Sequence, residues 1–202
     1  MHLSLPLSLK SALATLALAA LAPAAAHAQV TITIFQSGSD VDAQATGKLN
    51  LTGLTASGFG TVGDFAWGSH AGVLLGNNGA FFDVYSGFTG PAAFGSGAEI
   101  LASSGSSDRF GIDGIQNILA VPAGYTSGAP ISGSAVFTGQ TLSSLGLTPG
   151  TYSYKLPNDT VTVNIGAPAP AVPEPSTVAS LGVGGLGLLG LALRARKRRT
   201  AP

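Results

Sequence analysis

The chain has 202 residues, nine Lys plus Arg, nine Asp plus Glu, 29 glycines and no cysteine. That length suits one domain with processing segments. The missing cysteines exclude disulfide staples, thiol chemistry and thiolate metal sites. The formal net charge of zero hides a split, because Arg194, Arg196, Lys197, Arg198 and Arg199 crowd the last nine positions. Between positions 29 and 171 only Lys48, Arg109 and Lys155 oppose eight acids, a net charge of −5. An acidic body of this kind does not favour nucleic acid, and none is expected as a partner, since affinity for phosphate comes mainly from cationic contacts.

Residues 1–28 read as a signal peptide. Lys10 supplies the positive charge, residues 11–22 form a short apolar run, and Pro23 breaks it. Ala26 and Ala28 then place small residues at the −3 and −1 positions, so cleavage is expected after Ala28, leaving Gln29 first.

Residues 29–166 hold 24 of the 29 glycines, about twice the average share, scattered among Ser, Thr and Asn without a fixed period. Runs of strand length lie between them: 30–35, 72–76, 80–88, 111–121, 134–142, 151–156 and 160–165. The last two alternate apolar and polar residues around Pro157, Asn158 and Asp159, which predicts an antiparallel hairpin with one buried face. Pro149 and Gly150 have the order expected of the centre of a type II turn. One helical turn fits 140–147, and 111–120 is ambiguous between helix and strand. Many short strands with frequent turn signals predict an all-β, glycine-rich β-sandwich-like domain. Its expected core includes Phe35, Phe59, Phe65, Trp67, Phe81, Phe82, Phe137, Tyr152 and the hairpin aliphatics.

Chemistry within this domain is thinly marked. His70 is the one histidine left after processing, and no G-x-S-x-G nucleophile elbow accompanies it. Asp64, Asp83, Glu99 and Asp113 are the acids available for glycoside hydrolysis. No enzymatic activity, cofactor or metal is expected. Asp40 and Asp42, two apart in a presumed loop, invite calcium, yet the EF-hand spacing fails and turn-forming Asp is the preferred reading. Aromatic residues on an exposed sheet face can stack on sugar rings; Trp67 and Tyr85 are the candidates for such contact.

Residues 167–176 form a proline-rich linker, expected to be a semi-rigid extended spacer. Residues 177–193 carry no charge and no proline, and 17 residues is the lower limit for a transmembrane helix. Gly182, Gly184 and Gly187 spell G-x-G-x-x-G, but no βαβ context surrounds them, and a small-residue face for helix packing is preferred. The basic tail, 194–202, is expected to stop transfer and stay cytoplasmic.

Val172, Pro173, Glu174 and Pro175, a short apolar span and an arginine-rich end, in that order, resemble the PEP-CTERM sorting signal of Gram-negative bacteria. The resemblance covers roughly the last 30 residues. It implies processing by an exosortase, with Pro173, Glu174 and Pro175 as recognition residues and cleavage at or near them. It also implies an association with exopolysaccharide and biofilm. The expected course is an exported, inner-membrane-anchored precursor with a periplasmic ectodomain, later delivered to the cell surface or extracellular matrix. The "VPAGY", "SLGLTPGTY" and "PEPST" elements resemble ectodomains that accompany such signals, a resemblance that implies no activity. A structural or interaction role is the leading expectation, ahead of a carbohydrate-binding adhesin and then a polysaccharide hydrolase.

Overall fold

The structure, a computed structural model, describes residues 29–166. This body is all-β, with thirteen strands in two sheets arranged as a sandwich. In chain order they are β1 (Gln29–Ser37), β2 (Asp40–Lys48), β3 (Thr55–Gly60), β4 (Phe65–Trp67), β5 (Gly72–Leu75), β6 (Phe82–Ser86), β7 (Glu99–Leu101), β8 (Ser104–Ser107), β9 (Phe110–Asp113), β10 (Ile118–Pro122), β11 (Pro130–Phe137), β12 (Gly150–Lys155) and β13 (Thr160–Ile165). One sheet runs β12-β13-β1-β2-β11-β8, and the other β3-β6-β10-β9-β5-β4-β7.

Alternation explains how the first sheet meets the core. Val30, Ile32 and Ile34 of β1, Val41, Ala43 and Ala45 of β2, and Val161, Val163 and Ile165 of β13 all point inward and are buried. They meet Val73 and Leu75 of β5, Phe110 and Ile112 of β9, and Leu119 and Val121 of β10 in one cluster. The expected hairpin is β12–β13, pairing Tyr154 with Val161 and Tyr152 with Val163. β13 also pairs in parallel with β1, from Gln29 opposite Thr160 to Ile34 opposite Ile165.

Several expectations change. Residues 111–121 are not one element; the chain turns at Gly114–Asn117, with Asn117 at positive φ, and the run supplies β9 and β10. Gly150 does not take the positive φ of a type II turn and instead opens β12. That chemistry occurs at Gly124, where positive φ accompanies a bond from Tyr125 N–H to Pro122 C=O. The stretch 140–147 holds one helical turn, closed by Leu145 N–H to Thr141 C=O.

Phe59 and Phe81 are not core residues. They are 77% and 60% exposed and meet edge-to-face, 6.5 Å between centroids, at the β3 edge of the second sheet. Phe88, Phe94 and Phe110 fill the core instead, with Phe94 edge-on to Tyr152 and Tyr154.

Candidate functional site

β4 is three residues long, and its alternation decides what it presents. Ala66 is buried in the sandwich core, so Phe65 and Trp67 face outward. Strand register then sets a row across the outer face of the second sheet. Glu99 of β7 pairs with Trp67, Trp67 with Gly72 of β5, Gly72 with Asp113 of β9, and Asp113 with Ile118 of β10. The next row reads Leu101, Phe65, Leu74, Gly111, Ala120 and Val84.

These rows form a cleft of about 360 Å³. Its floor is apolar, with Leu74, Phe82 and Ala120 buried and Phe65 and Val84 packed against them. Glycines keep it open. A Cβ on Gly72 would sit 3.2 Å from both Trp67 Cβ and Phe65 Cε2, and 3.6 Å from Asp113 Oδ2. One end is polar: Glu99, Asp113 and Gln116 line it, and no lysine or arginine does.

Asp113 is held in place. Its Oδ1 accepts from Gln116 N–H at 2.8 Å, and its Oδ2 accepts from Gln116 Nε2 at 3.1 Å. His70 Nδ1 stands 3.7 Å from the same Oδ2 and has no hydrogen-bond partner. The imidazole stacks on the Trp67 indole, 3.6 Å between centroids and 12° from parallel. The short 3₁₀ turn Gly68–His70 makes that stack, because residues three apart eclipse on such a turn. The Trp-x-x-His spacing was the signal available in the sequence for this contact.

Trp67 and Tyr85 do not come together. Tyr85 pairs with buried Leu119 and packs against the sandwich core, so it lies on the opposite face of the sheet from Trp67. Asp40 and Asp42 lie on strand β2 and not in a loop, on its outward side. Asp40 Oδ1 accepts from Gly139 N–H at 2.8 Å, which makes it a connector between β2 and the turn after β11. Among the described residues no group of three or more His, Cys, Asp or Glu is placed to hold a metal ion.

The acids considered for hydrolysis are dispersed. Asp64 is fully buried and takes a hydrogen bond from Arg109 Nη1, while Nη2 of the same guanidinium donates to Val62 C=O at 2.5 Å. Burial raises the Asp64 carboxyl to about 6 against the pull of Arg109, and lowers Arg109 in turn. Asp83 accepts from Gly124 N–H. Glu99 and Asp113 share the cleft but stand three strand spacings apart, about 14 Å between Cα atoms, with Trp67 and Gly72 between them. Glycosidase pairs span about 5 to 9.5 Å between carboxyl groups.

Val172, Pro173, Glu174 and Pro175, the basic residues 194–199, the apolar run 177–193, and Ala26 and Ala28 lie outside the described residues. Gln29, the expected first residue of the mature protein, is the first residue of β1.

Residues 171–199 match the family model of the PEP-CTERM protein-sorting motif. The motif implies export, a membrane-anchored precursor and processing by an exosortase. No curated protein and no solved structure matches the chain.

Proposed function

We propose that the chain is a surface or extracellular-matrix protein with a structural or interaction role in exopolysaccharide and biofilm, and no catalytic activity of its own. In this reading residues 1–28 are removed on export and residues 177–193 hold the precursor in the inner membrane. The basic tail from Arg194 stays inside. An exosortase then cuts at or near Pro173, Glu174 and Pro175 and releases the β body.

The match at 171–199 carries this reading, set against a body whose last strand ends at Ile165. Gly166 closes that strand: its N–H donates to Ile34 C=O at 2.8 Å. From Gly166 to Pro173 is seven residues, about 22 Å if fully extended as polyproline. The sorting residues are thus separated in the chain from the last strand of the body by a proline-rich segment. Intact-mass measurement on the mature protein from its native host tests this. The expected mass starts at Gln29 and lacks everything after the Pro-Glu-Pro segment. A native surface protein that retains residues 194–199, in cells that possess the exosortase, would overturn it.

A second reading, a carbohydrate-binding adhesin, is favoured by Trp67, which faces an open cleft with polar side chains at one end. Trp67→Ala should then abolish glycan retention without unfolding the body. Unchanged retention removes this reading.

A further inference from the structure

We infer that the outer edge of β3 is a self-association surface, on which a second copy of this chain pairs edge to edge. The inference rests on neither the sorting nor the adhesin reading.

The two sheets end in four edge strands, β12, β8, β3 and β7. β12 exchanges two backbone bonds with Thr89, whose N–H donates to Lys155 C=O at 3.0 Å and whose C=O accepts from Lys155 N–H at 2.7 Å. β8 is four residues long and accepts at Ser107 C=O from Asn77 N–H. β7 is three residues long. β3 has six residues, and among the described residues its backbone pairs with β6 alone. Thr55 to Phe59 are all exposed. Such an edge offers unpaired N–H and C=O groups to another strand, and natural edges are commonly guarded by charge or proline. Residues 53–63 contain neither. A bulge between Ala56 and Gly58 bends the first half of the strand, so regular pairing falls to the stretch after it.

Apolar surface stands beside that stretch. The edge-to-face pair of Phe59 and Phe81 is exposed there, and so is Val62. The segment is already fixed in shape: Thr61 Oγ1 donates to Gly79 C=O at 2.8 Å, and Val62 C=O accepts from Arg109 Nη2. A surface held in this way loses little freedom on docking.

Charge selects the occupant. The body carries −5, so two copies repel wherever their acids face one another. The acids beside β3 are occupied: Asp83, opposite Phe59, accepts from Gly124 N–H, and Asp64 is buried against Arg109. A charged partner finds no counter-charge on this edge. A neutral apolar edge matches it, and a second β3 is one. Antiparallel pairing about a two-fold axis is self-complementary, because each copy gives and accepts the same bonds. Four phenyl rings, each about 150–250 Å² when whole and partly exposed here, supply roughly half of the ~1,200 Å² at the low end of stable interfaces. The dimer is therefore expected to be weak, with a Kd of about 10 µM to 1 mM.

Sedimentation equilibrium of the protein purified from its native host, across that range, tests this. A monomer–dimer equilibrium is expected that stops at two, because the pairing uses up the edge. Added salt should strengthen it by screening the repulsion between two acidic bodies. Phe59→Ser and Phe81→Ser should each raise the Kd about tenfold with the melting temperature unchanged. Leu101→Ser, exposed on β7 at the opposite edge of the sheet, should leave it unchanged. In the unaltered protein, amide hydrogen exchange at 58–62 should slow as concentration rises. Monomer throughout overturns the proposal and leaves the edge to a different chain. Growth beyond two copies, a dimer indifferent to both phenylalanines, or concentration-dependent protection confined to other strands also overturns it.

Discussion

Arg109 and Asp64 form a salt bridge in which both side chains are almost wholly removed from solvent, at 2% and 0% exposure. The pair joins the segment before β4 to the start of β9, and Gly105 of β8 closes over it. A Cβ at Gly105 would fall 1.9 Å from Asp64 Oδ2. Removing one partner leaves an uncompensated charge in a site shielded from solvent. Arg109→Met is therefore expected to cost about 3–5 kcal/mol. The double variant Asp64→Leu with Arg109→Met should recover most of that loss, because no buried charge then remains. Urea denaturation of the four proteins in the cycle checks the coupling. A double variant as unstable as Arg109→Met would reject the argument.

The same carboxylate makes stability depend on pH in an unusual direction. Asp64 titrates at about 6 in the fold against 3.8 as its reference value. Between those pH values the folded state binds more proton than the unfolded chain. The contribution of this group to stability is thus largest below the reference value and is lost as pH rises through about 6. The difference is on the order of 2–3 kcal/mol. Asp64→Asn removes this contribution, so the stability of the natural protein minus that of the variant should grow as pH is lowered from 7 to 4. A difference that shrinks over this range contradicts the assignment.

Two glycines with the same left-handed backbone should respond very differently to a methyl group. Gly146 has φ +61°, and a Cβ there would approach Gly97 Cα to 2.3 Å. Its carbonyl also accepts from Ser96 and Gly97 N–H. Gly139 has φ +69° with open space around its missing side chain. Gly139→Ala should cost about 1–2 kcal/mol from backbone strain alone. Gly146→Ala should cost that and more, because two backbones must separate. Thermal melts that place the two variants together would show that the close approach contributes nothing.

Tyr154 is fully buried, and its hydroxyl reaches only Ala71 C=O at 3.5 Å, the outer limit of a hydrogen bond. Burial raises its ionisation well above the usual range. The ring does the stabilising, edge-on to Phe88 and Phe94. Tyr154→Phe should cost under about 1 kcal/mol, and Tyr154→Ala about 3–5 kcal/mol. Chemical denaturation separates the two. A large loss on removing the hydroxyl alone would mean that the bond matters more than its length implies.

The hairpin from Thr151 to Ile165 was readable because each of its strands writes its burial as a strict alternation of large apolar and polar residues. β2 was not, because its inward positions are Val41, Ala43 and Ala45, and two alanines among polar residues do not stand out. β8, with the sequence Ser-Gly-Ser-Ser, has no apolar signal at all and exists through its register with β11. Trp67 and Tyr85 looked equivalent as aromatic residues near one another in sequence. The parity of each within its own strand sends one to solvent and the other to the core, and parity depends on where the strand is paired. Phe59 was misplaced for a related reason: β3 is an edge strand, where an aromatic residue can remain exposed. The sorting segment was legible without any of this, since proline spacing, length without charge and a basic end are properties of the chain alone.

The parallel union of β1 with β13 imposes an order on biogenesis. Gln29, whose Nε2 donates to Thr162 Oγ1, finds this partner 133 positions downstream. The leading strand of the body therefore cannot be completed on one side until nearly the whole of it has emerged. Long-range closures of this kind are slow, so an early exit leaves the first strand waiting with an open flank. A chain that threads a translocation channel N-terminus first would acquire its final shape only as the last strand clears the pore, shortly before the sorting motif at 171–199 follows.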